Sequence, residues 1–101
     1  MEVHAFFSRL MLRGISKSIF EQIDGQKVYR GEISDMELSQ RHVSFDMLFV
    51  NVTKSDGTVQ SFSFSELILR LNEVEDYTVD GKKFCFRTDC HGQFTITTQK
   101  S

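Results

Sequence analysis

Proline and tryptophan are absent from the 101 residues, and cysteine occurs only twice, at Cys85 and Cys90. No linker composition and no internal repeat divides the chain, so residues 1–101 are expected to form a single domain around one core. A chain of this length buries only about two thirds of its unfolded surface, which leaves modest stability and makes dimerisation favourable.

A basic stripe is also missing. The net charge is −2, and lysine and arginine are scattered along the whole chain. Phosphate backbones demand clustered cations, so nucleic acid is not an expected partner. The segment Lys82 to Arg87 comes nearest to an RNA-binding strand, and it lacks the glycine and second aromatic of that signature. No run is long enough to span a membrane. Arg9 and Arg13 interrupt the short apolar stretch at the N-terminus, unlike a secretory leader. The expected location is therefore the cytoplasm, with both thiols reduced.

Catalytic constellations are lacking as well. No serine sits in a G-x-S-x-G elbow, and no carboxylate pair is suggested by spacing. Cys85, Asp89, Cys90 and His91 form the only cluster with ligand chemistry, but the cysteines stand five residues apart and a fourth zinc ligand is missing. About 16 Å of extended chain separates the two thiols, too far for a disulfide. Cys90 and His91 are neighbours in a turn, where side chains rarely face each other as a nucleophile and base must. His4 and His42 are the other candidate bases, and neither has an evident orienting group. No metal or cofactor is implied.

What the chain does have is apolar patterning. Its apolar fraction is 40%, with ten phenylalanines. Val3, Phe6, Phe7, Leu10 and Met11 follow the spacing of one helical face, with Gly14 placed to end the helix. A strand through Phe6, Leu10 and Leu12 is the alternative, because no N-cap residue is evident. A second helix is signalled by the Ser63-x-x-Glu66 capping box, with Phe64, Leu67, Ile68 and Leu71 on one face. The remainder predicts strands near 18–23, 27–33, 42–54, 58–62, 76–79, 83–88 and 93–98. Turns fall at Asp24-Gly25, Asp56-Gly57, Asp80-Gly81 and Cys90-His91-Gly92. Face parity selects three-residue loops at two of them. One sets Val50 opposite Phe62 and Leu48 opposite Phe64; the other sets Phe86 opposite Ile96. Ser34 to Arg41 is expected to be a polar connection, with room for a helical turn.

The stretch His42 to Thr53 is apolar on both faces under strict alternation. Val43, Phe45, Met47 and Phe49 point one way, and Leu48, Val50 and Val52 the other. Such a strand is a central one sandwiched between layers, or one face of it meets a second subunit or lines a pocket. The expected fold is α+β, a curled antiparallel sheet or partial barrel of about six to seven strands, with the N-terminal helix and a second short helix packed on it. The leading functional expectation is a non-enzymatic binding or protein-interaction module, homodimeric, with a protein partner. The alternative is a domain that binds a small apolar ligand in a pocket between helix and sheet, or a small enzyme built on that pocket. Pocket or interface residues would be Phe6, Leu10, Val43, Phe45, Met47 and Phe49. His42 and Asp46 would form a polar rim, extended by Arg30 and Arg41.

Overall fold

The apolar face at the N-terminus does form a helix, α1, over Val3–Leu12. A computed structural model describes residues 2–100. The cap that the sequence reading did not find is Glu2, whose Oε1 accepts a hydrogen bond from the Ala5 N–H at 2.9 Å. At the other end Arg13 and Gly14 donate their N–H groups to Leu10 and Met11, closing the last turn. Phe6, Phe7 and Leu10 are buried. Arg13 then ties the end of the helix to the sheet. Its Nη1 donates to the Gly81 carbonyl at 3.0 Å, and its guanidinium stands 5.1 Å from the Phe84 ring centroid.

Seven strands follow, β1 (Ile19–Asp24), β2 (Lys27–Leu38), β3 (His42–Thr53), β4 (Val59–Arg70), β5 (Glu75–Asp80), β6 (Lys83–Thr88) and β7 (Gly92–Thr97). They make one open antiparallel sheet in the order β4-β3-β2-β1-β7-β6-β5. Two meanders, β1–β4 and β5–β7, are thus joined along β1 and β7, and β4 and β5 are the edges. Phe7 shows how far the sheet curls. Its ring lies 6.3 Å from Phe45 on β3 and 5.1 Å from Phe86 on β6. In a flat sheet, strands four places apart would stand roughly 19 Å from each other, beyond the span of those two contacts. The sheet wraps α1, and Phe6 reaches Tyr77, Phe84 and Phe86 on the far side.

The predicted second helix is instead β4, followed by a single 3₁₀ turn at Leu71–Glu73. The capping-box spacing is real, but Phe62-Ser63-Phe64-Ser65 alternates with period two, and pairing with β3 over the whole length outweighs a local cap. The expected Val50–Phe62 and Leu48–Phe64 pairs form, with a three-residue loop over Ser55 to Gly57. The second hairpin differs by two residues. Phe86 pairs with Phe94 and Phe84 with Ile96, so the loop is Asp89 to His91. All four rings and chains still share the core face. Ser34 to Leu38, expected as a connection, continues β2.

The strand apolar on both faces resolves into one core face with a phase slip. The buried positions of β3 run Val43, Phe45, Met47 and then Val50, Val52. Between Arg30 and Glu32 the β2–β3 register shifts, so that Phe49 and Val50 together oppose the single Gly31. Phe49 takes φ 55 there. This is a β-bulge, and one extra residue moves every later side chain to the opposite face. A Cβ on Gly31 would meet Val50 Cγ2 at 2.9 Å and the Leu48 carbonyl at 3.3 Å, so a side chain there would force Val50 and the bulged strand to shift. A second shift at Ser34 restores the offset.

Candidate interaction surface

Five of the six residues expected to line a pocket or interface come together in the buried core. Phe6, Leu10, Val43 and Phe45 are wholly buried and Met47 nearly so, among Phe7, Phe20 and Phe86. Phe49 is not with them. The bulge turns it out to 67% exposure. His42 and Asp46 do not share a rim either. His42 lines a cleft beside the start of α1, whereas Asp46 sits in a notch of about 40 Å³ among Asp35, Glu37 and Glu66. Arg41 shares the cleft with His42, and Arg30 is paired with Glu21 at 3.1 Å on the β1–β2 ladder.

The sheet's two edges are unlike. Strand β5 has six residues, an irregular register between Glu75 and Thr78, and three carboxylates. Asp76 takes φ 52. Arg87, on neighbouring β6, binds Asp76 through Nε, Glu75 at 2.6 Å and Asp89 at 2.9 Å. Those hydrogen bonds, Asp76's first, hold the guanidinium above its ordinary pKa. Short length, a bulge and charge are the devices that keep an edge from pairing with another chain.

Strand β4 has none of that protection along most of its length. It runs for 12 residues, and only Glu66 and Arg70 carry charge. Phe64 and Ile68 are more than half exposed, at 56% and 57%, and Val59 is exposed on the same strand, as is Phe62 opposite the buried Val50. Leu48 lies opposite Phe64, and Phe49 follows it on β3. Among the described residues the one α-helix lies against the other face, and nothing covers this patch. Sequence reasoning missed these side chains as a surface because it placed Phe64 and Ile68 on a helix. The Phe-Ser alternation was the signal that could have found them.

The thiols lie where the pattern puts them. Cys85 is half-buried on β6, with Sγ 3.9 Å from Thr95 Oγ1, and Cys90 is exposed at the hairpin tip. Both are free. Titration of the native protein with a thiol reagent is expected to modify Cys90 quickly and Cys85 slowly. Equal rates would mean that the β6–β7 hairpin opens on the timescale of the reaction. Among the described residues no three His, Cys, Asp or Glu side chains converge in a way that could hold a metal ion, and no helix is long and apolar enough to cross a membrane. No protein-family model, curated protein or solved structure matches the chain, which leaves the β4 edge and its exposed rings as the feature from which a function is to be argued.

Proposed function

We propose that the chain is a non-enzymatic interaction module that pairs with a second copy of itself, β4 against β4, to form one continuous sheet. The observation that carries this reading is the contrast between the protected β5 edge and the long apolar β4 edge. A free strand edge offers a row of backbone donors and acceptors, and another strand satisfies them best. An antiparallel copy related by a twofold axis presents the same patch to itself, the commonest symmetry of soluble oligomers. Size supports it. A stable dimer takes roughly 600–1,000 Å² from each copy, a tenth or more of this chain's 6166 Å² surface. Strand β4 spans about 40 Å and is flanked by Phe49, Phe62, Phe64 and Ile68, a surface of that scale.

The test is assembly in solution. Sedimentation at micromolar concentration is expected to give a dimer, and Phe64→Lys together with Ile68→Lys to give a monomer. Both side chains are exposed in one copy, so the variant should keep its own stability to within about 1 kcal/mol. A wild-type chain that remains monomeric at ~100 μM, well above the Kd of an ordinary specific complex, would overturn the reading.

A further inference from the structure

One end of the molecule holds a cleft of about 660 Å³ between the first turn of α1, the β2–β3 turn and the end of β4. That volume lies within the range of small-molecule sites, roughly 300–1,000 Å³. Its lining mixes polar side chains with apolar surface. Arg41, Arg70, His4 and His42 line it, with the amides of Gln40 and Asn72 between them. The one carboxylate present, that of Glu2, is engaged by the Ala5 N–H. In a chain of net charge −2, two arginines and two histidines share this one cleft.

Backbone pairing brings these residues to one end of the sheet. His42 and Arg70 are cross-strand partners on the β3–β4 ladder. The Leu71 N–H donates to the Arg41 carbonyl at 2.8 Å, which fixes Arg41 beside the same strand end. Within the turn, Ser39 Oγ accepts from the His42 N–H at 3.0 Å, and the Ser39 N–H donates to the His42 carbonyl at 2.9 Å. Neither Arg41 nor Arg70 makes an ion pair among the described residues, whereas Arg30 and Arg87 are both paired with acids.

We infer that this cleft binds a small phosphorylated molecule, with its phosphate group held between Arg41 and Arg70. Guanidinium forks match the spacing of phosphate oxygens and bind them in pairs. Two forks and an imidazole supply more donors than the two oxygens of a single carboxylate use well, and a phosphate presents three. The rest of the cleft takes the body of the ligand against Val3 and Leu71. This inference does not depend on β4 pairing.

The experiment is an amide-shift titration of the whole chain with inorganic phosphate, repeated with acetate and with the double variant Arg41→Gln, Arg70→Gln. Saturable shifts confined to residues 40–42 and 70–72 are expected. The variant, with both side chains exposed, should fold normally by circular dichroism and bind at least ~10-fold more weakly, the loss of one charge-assisted hydrogen bond or more. Shifts that do not saturate, or that are unchanged in the folded variant, would overturn the site. Acetate binding as tightly as phosphate would overturn the phosphate assignment.

Discussion

Phe45→Ala is expected to lower the free energy of unfolding by about 3–5 kcal/mol, the cost of truncating a core aromatic that the surroundings cannot refill. The ring is wholly buried, with the centroids of Phe7 and Phe20 at 6.3 and 6.4 Å. It joins helix to sheet at the centre of the curl, so collapse around the void would have to move both layers. Assembly should not change, because Phe45 lies on the core face and the proposed partner pairs along β4. Denaturant titration beside sedimentation separates the two effects. A loss under about 1 kcal/mol would mean that an existing cavity absorbs the deletion. A shift toward monomer without loss of stability would place Phe45 at the interface.

Gly92→Ala is expected to cost about 3 kcal/mol or more, from two causes that add. Gly92 has φ 83, where an L side chain is strained. A Cβ there would also stand 2.0 Å from the Ile23 carbonyl oxygen and 3.0 Å from Asp24 Cα, both backbone atoms that cannot swing aside. Gly25→Ala is the matched control. It shares the conformation, at φ 61, but meets nothing within 4 Å, so it should lose only the strain, about 1–2 kcal/mol. Thermal melts of the two variants provide the comparison, and equal losses would show that the close approach of β7 to β1 is not needed.

The parts of the fold that were legible in the sequence are those set by near neighbours. The face of α1 and the Ser55–Gly57 loop follow from spacing and turn chemistry alone, and so does the Val50–Phe62 pair. What stayed hidden depends on strands meeting across the chain. The phase slip at Phe49 exists because Gly31, on another strand, lets the backbone of β3 approach. Without it, Val50 and Val52 read as a second apolar face. On β4, Leu67 lies opposite the buried Phe45 and Ile68 opposite Ser44 on the other face, yet with Phe64 and Leu71 they have the spacing of a helical stripe. The cleft was half visible. His42 and Arg41 stood out, but Arg70 and His4 join them only through the β3–β4 ladder and the start of α1.

The seam between the meanders also has a kinetic consequence. Strand β1 pairs with β2 across a tight turn, yet its other neighbour is β7, with Ile19 set opposite Thr97. The turn-linked hairpins can form independently, each on a timescale of about 1–10 μs. The seam must close a loop of about three quarters of the chain, at roughly 4 kcal/mol of entropy by the logarithmic rule. Only after that closure does α1 have both sides of the curl to pack against. The rate-limiting event in folding is then expected to be the docking of the last strand on the first, so a substitution that weakens a hairpin turn should change the folding rate less than one in the β1–β7 seam.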